Sequence, residues 1–236
     1  EKYMATHHNT PVLYSGYAAG YKDLREMPMS INPDYFCLED DFVYELDTGW
    51  TTVKDSGATV AIVADTVGGE LGITSAATTD NDGGSVQGNE IFAVAADKNM
   101  FFQTRIKNND VDQTDICVGF TVNFATNPEN MLTATDRIVF QVDDGDASIL
   151  CKTEKDGTET STDSGIDMVD DTYIKLGIAC SGTGKVEFFI NDKLVATHST
   201  NIPDDENLAI AAMSLSGSAS GTRVTTIDYL MGARTR

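Results

Sequence analysis

Apolar residues recur at every second position through most of this chain, and the clearest run lies between residues 172 and 199. Ile174, Leu176, Ile178 and Cys180 alternate with Tyr173, Lys175, Gly177 and Ala179, which turns one face of an extended segment toward a core. Gly182-Thr183-Gly184 interrupts the period, and Val186, Phe188 and Ile190 resume it with Glu187 on the other face. Asn191-Asp192 then supplies two residues that tolerate positive φ ahead of Leu194-Val195-Ala196. The pattern predicts a three-stranded antiparallel meander.

Similar signals flank it. Asp40-Asp41-Phe42 opens the first, residues 58–64 (ATVAIVA) give the second, and Leu71 and Ile73 lead into a Thr/Asp/Asn/Gly cluster over 78–85 that reads as an exposed loop. Phe102, Thr104 and Ile106 alternate with Phe101, Gln103 and Arg105, and Ile116, Val118, Phe120, Val122 and Phe124 share a face; these two runs are expected to pair. Asn127-Pro128-Glu129 is a cap followed by proline and predicts one short helix through Leu132. Ile138, Phe140 and Val142 alternate again before a turn at Asp143-Asp144-Gly145-Asp146, and the polar run 154–164 reads as a loop or ragged hairpin. Residues 208–215 and 223–230 add the last strands. About a dozen short strands with a single short helix predict an all-β fold, an antiparallel two-sheet sandwich of the jelly-roll kind.

Residues 1–36 break this regularity. They hold three of the five prolines and five of the eight tyrosines, carry almost no net charge, and follow neither a 2-residue nor a 3.6-residue period. The expected organisation is an irregular, extended N-terminal arm over 1–36 and a sandwich domain over 37–236. Aromatic side chains on such a segment need a surface to bury against, so Tyr3, Tyr14, Tyr17, Tyr21, Met27 and Met29 are the arm's candidate contact residues.

Charge narrows the partners. The chain of 236 residues has 37 acidic and 16 basic side chains, a net charge of -21 that falls almost entirely after residue 36. Nucleic acid and anionic membranes attract lysine and arginine, so neither is an expected partner. No apolar run is long enough to span a bilayer, and the first residues lack the order of a signal peptide. Cys37, Cys117, Cys151 and Cys180 are too widely spaced for a zinc knuckle and read as buried free thiols, with disulfides the alternative that an even count allows.

Candidate chemistry is sparse. A glycosidase needs two carboxylates facing one groove, and on a strand that means acids at alternate positions. Glu45 and Asp47 satisfy the spacing, but Trp50 stands where an E-x-D-x-x-E strand has its third acid, and Asp47-Thr48-Gly49 reads as a turn. Asp143, Asp144 and Asp146, like Asp80, Asn81 and Asp82, are candidate calcium ligands whose alternative role is turn chemistry. Trp50, the single tryptophan, is the candidate for stacking on a sugar ring or for plugging an end of the sandwich. No nucleotide or serine-hydrolase fingerprint occurs, and no cofactor is expected.

Residues 38–231 resemble the concanavalin A-like (laminin-G-like) jelly-roll domains of tailed-phage virion proteins. The matching pieces include Glu39-Asp40-Asp41-Phe42, Gly68-Gly69-Glu70-Leu71-Gly72-Ile73-Thr74, Asp136-Arg137-Ile138-Val139-Phe140, Val186-Glu187-Phe188-Phe189-Ile190-Asn191-Asp192, and Val224-Thr225-Thr226-Ile227-Asp228-Tyr229-Leu230. That family has no catalytic residues to carry over. The resemblance implies a non-enzymatic capsid decoration or cement protein on the head exterior, assembled in the bacterial host cytoplasm, whose arm contacts the major capsid protein and neighbouring copies. The competing reading is a lectin-like carbohydrate-binding module that contacts a host-surface glycan through Trp50 or the loops around Asp82 and Asp144.

Overall fold

The alternating runs resolve into two antiparallel sheets packed face to face. The computed structural model describes residues 34–43, 46, 49–75, 79–124, 126–217 and 221–236. The arm candidates Tyr3, Tyr14, Tyr17, Tyr21, Met27 and Met29, together with Glu45 and Asp47, lie outside the described residues.

Strands are numbered in chain order. The first sheet runs β14 (Lys193–His198), β13 (Lys185–Ile190), β12 (Ile174–Ser181), β7 (Asn99–Asn108), β16 (Val224–Thr235), β4 (Leu71–Thr74) and β3 (Thr59–Ile62). β1 (Tyr35–Asp40) also pairs with β16, along the half that β4 leaves open, so the strand starts two residues before the expected domain boundary. The second sheet runs β11 (Thr158–Asp167), β10 (Ser148–Lys155), β9 (Arg137–Val142), β8 (Thr114–Thr121), β15 (Asn207–Ser216), β5 (Gly83–Gln87) and β2 (Thr51–Lys54), with the short β6 (Phe92–Ala93) on β15.

The predicted meander is present as β12-β13-β14, and Asn191 and Asp192 take the expected positive φ of 48° and 69°. The expected pairing of β7 with β8 does not occur. These strands lie in opposite sheets, and their inward rings meet across the core, Phe102 against Phe120 at 5.7 Å between centroids. Alternation specifies which face is buried but not which strand is the neighbour. The predicted helix is a single 3₁₀ turn, Pro128–Met131, capped by Asn127 Oδ1 accepting from Glu129 N at 3.0 Å. The polar run 154–164 is ordered as the edge strand β11, and β5 begins inside the cluster expected to be loop.

A ladder of rings fills the interior. Phe36, Phe92 and Phe120 follow one another at 5.1 and 5.2 Å, and Phe140 meets Phe188 edge-on at 5.3 Å. Such pairs add roughly 0.5–1.5 kcal/mol each beyond the area they bury. The fold therefore holds two rigid sheets whose turns at either end are free to carry function.

Candidate functional site

Four surfaces of this sandwich can be compared for chemistry: the outward face of each sheet and the turns at each end. On the second sheet, β9 points Arg137, Val139 and Gln141 outward, where a glycosidase strand would need acids. Phe124, Met131 and Leu132, from the connection between β8 and β9, pack over Cys117, Val139, Ala211, Met213 and Leu215 and close the middle of this face. Beside that plug, Arg137 donates from Nε to Glu154 at 2.7 Å, from Nη2 to Glu159 at 2.9 Å and from Nη1 to Gln141 Oε1 at 3.0 Å, and Lys152 Nζ lies 3.3 Å from Glu159. These carboxylates are engaged with cations.

The first sheet is more open. Asp40 accepts from Phe42 N and from Trp50 Nε1, both at 2.7 Å, and so holds Phe42 at a φ of 54°. Gly69, at φ 83°, lets the chain come close, since a Cβ there would sit 2.4 Å from the Asp41 carbonyl. Glu39 stands opposite Met231, on the outward face, and Asp41, just past the end of β1, acts electrostatically on Tyr229. Burial raises both carboxyls above the usual range; Asp41 adds to the effect on Glu39, and Asp228 and Asp40 to that on Asp41. Nearby, Arg105 pairs with Asp228 at 2.8 Å and lies 4.1 Å from the Tyr173 ring centroid, while the Tyr229 hydroxyl donates to Gln103 at 3.2 Å. Tyr173 donates to Glu70.

At one end of the sandwich the turns are strongly acidic. Asp115, next to Asp80, Asp143 and Asp144, is pushed up to about 6, chiefly by burial. Its Oδ1 accepts from Asp144 N at 2.9 Å. Of the calcium candidates, Asp143 accepts from the Gln141 side chain and Asp146 from Ser148 N at 3.0 Å, so both are used within their own turn. Among the described residues no three His, Cys, Asp or Glu side chains converge as a metal site.

The opposite end is cut by two adjoining, open, polar clefts of about 390 and 480 Å³. The first lies among Lys155, Asp156 and Thr158 of the β10–β11 turn and Ser199, Asn201 and Asp204 after β14. The second lies between Asp97 and Asn99 on one side and Ser181 and Gly182 on the other. Thr183, in the β12–β13 turn, belongs to the wall of both.

The walls are held from behind. Asn201 Nδ2 donates to Thr160 Oγ1 at 2.9 Å, Thr153 Oγ1 to Thr200 O at 3.1 Å, and Gly182 N to Lys98 O at 2.9 Å. Asp97, Asp156 and Asn201 sit at φ of 59°, 50° and 52°, conformations that short Asp and Asn side chains tolerate. Lys155 bonds Asp204 and lies 3.4 Å from Asp205, so its charge is met. Rigid walls reduce the ordering cost of binding.

Trp50 is half-buried against the core, 6.2 Å from Phe42, with its N–H committed to Asp40. Neither the clefts nor the Glu39/Asp41 pair was singled out from sequence as a site. Acids stand at alternate positions 39 and 41, but β1 ends at Asp40, so no strand period marks the two as a pair. The cleft residues read as turn formers, and only the up-and-down parity of the strands brings their turns to one end.

No family model and no curated protein matches the chain. Solved structures do. A lichenase (β-1,3-1,4-glucanase) from a mouse hindgut metagenome is 13% identical with a TM-score of 0.58, covering 83% of this chain and 97% of its own. A family 16 endo-glucanase from Bacteroides ovatus is 10% identical with a TM-score of 0.55, over 82% and 98%. A Shewanella oneidensis MR-1 protein of unknown function is 13% identical with a TM-score of 0.62, over 93% and 95%. This is a concanavalin A-like jelly roll. At such identities the likeness establishes the shared fold.

The comparisons correct the expected function. The sandwich is one that glycoside hydrolases carry, rather than one tied to virions, so the reading as a non-enzymatic capsid decoration protein is overturned. Its physical basis was also weak. An acidic surface disfavours polyanionic partners but does not choose a capsid over a glycan.

Proposed function

We propose that this chain is a carbohydrate-active β-sandwich protein that holds glycan in the paired clefts around Thr183. The lining carries the reading. Of the residues walling the two clefts, all but Ala96, Gly182 and Ile202 offer a side chain that donates or accepts hydrogen bonds. Asp, Asn, Ser and Thr on a fixed backbone match the dense hydroxyls of a sugar, and the fold shared with named glucanases is consistent with this. Retardation of the protein in gels containing mixed-linkage β-glucan, laminarin or other neutral polysaccharides tests it. Asn201→Ala and Asp97→Ala should each weaken retardation about tenfold, the scale of one hydrogen bond involving a charged or well-ordered group. Unretarded wild-type protein across the panel would refute the reading.

Glu39 and Asp41 favour a second reading, glycoside hydrolysis on the outward face of the first sheet. Both carboxyls are raised above their usual range, and Asp41 acts electrostatically on Glu39, so the two acids stand close to each other as a glycosidase pair must. Release of reducing ends by wild type, lost in Glu39→Gln and in Asp41→Asn, would support it. No release from any neutral glucan would reject it.

A further inference from the structure

We infer that the two clefts are consecutive subsites for one uncharged oligosaccharide that crosses over Thr183. This rests on the carbohydrate reading of the same clefts and adds to it the length and charge of the ligand. Thr183 is exposed and belongs to both walls, so the two clefts adjoin at this one turn residue. A chain bound in one cleft can run directly into the other, and the second contact is then made without a second loss of translational freedom.

Charge sets the class. The first cleft presents Asp156 and Asp204, and its one cation, Lys155, is held by Asp204 and Asp205. The second presents Asp97. A uronate or sulfate group would approach these carboxylates with no cationic side chain on the cleft walls left to receive it, against a protein of net charge -21. A sugar hydroxyl meets the same carboxylates as a donor. A polyanionic glycan is therefore rejected, and a neutral one accepted.

Calorimetric titration separates the outcomes. The probes are glucose, mixed-linkage β-gluco-oligosaccharides of two to six units, and oligo-alginates of equal length, at about 20 mM and 500 mM salt. The tetrasaccharide should bind at least about tenfold tighter than the disaccharide, and oligo-alginate should not bind at either salt concentration. Thr183→Gln, which adds bulk to the wall that the two clefts share in an exposed turn, should weaken tetrasaccharide binding more than disaccharide binding and so shrink the gain with length. Neutral binding that does not strengthen with length, or alginate binding of equal strength, overturns the inference while leaving the carbohydrate reading intact. Absence of binding by every oligosaccharide overturns both.

Discussion

Arg137 donates from Nε to Glu154 Oε2 at 2.7 Å, and the two residues are cross-strand partners on β9 and β10. The guanidinium side chain is 4% exposed and the carboxylate 12%, so removing one leaves the other charged and poorly solvated. Arg137→Met should lower stability by roughly 3 kcal/mol, toward the lower end for a broken buried pair because Glu159 retains water contact. Adding Glu154→Gln to that variant should recover part of the loss in chemical denaturation.

The plug over the second sheet makes a separate prediction. Phe124 is buried against Cys117, Val139 and Met213, yet it comes from a connection and not a strand. Phe124→Ala should cost about 3–5 kcal/mol in urea titrations, as for other large-to-small core changes. It should also open this face to solvent, which an apolar dye would report.

Asp115 gives the protein a pH dependence with a definite sign. Its carboxyl is raised from 3.8 to about 6 in the folded state. The stabilising contribution is thus present below about pH 4 and lost as pH rises through 6. Asp115→Asn keeps the oxygen that accepts from Asp144 N and should gain roughly 2 kcal/mol at pH 7, with no difference at pH 4. Thermal melts at the two pH values check this; a loss at pH 7 would show that the carboxylate has a cationic partner.

His198 acts in the other direction. Thr153 Oγ1 donates to Thr200 O, so at 3.0 Å from Nδ1 it accepts, which places the proton on Nδ1 and makes Nε2 the acceptor from Thr162. Burial lowers the ring below its ordinary 6.5. The neutral ring costs nothing above that value, and stability falls as pH drops below it, because the unfolded chain binds the proton first. His198→Gln should remove this part of the acid slope in melts between pH 7 and 5.

The meander at 172–199 was legible because a strict period of two and a turn pair tolerant of positive φ act within a few residues of each other. The partner of β7 was not, since the short link from Asn108 to Thr114 crosses between sheets where the alternation on either side looks like a hairpin. β11 escaped notice for a different reason. It is an edge strand with little inward apolar surface, positioned by its ladder to β10 and the Asp156-Gly157 turn. Asp97, Asp156, Thr183 and Asn201 are far apart in sequence, and their convergence is a property of topology.

The most direct test of the account is an amide chemical-shift titration of the full chain with a mixed-linkage β-gluco-tetrasaccharide. Shifts centred on Asp97, Ser181 to Gly184, Thr158 and Ser199 to Asn201 are the predicted result. Shifts confined to the Glu39, Asp41 and Tyr173 face, or none at millimolar ligand, would contradict it.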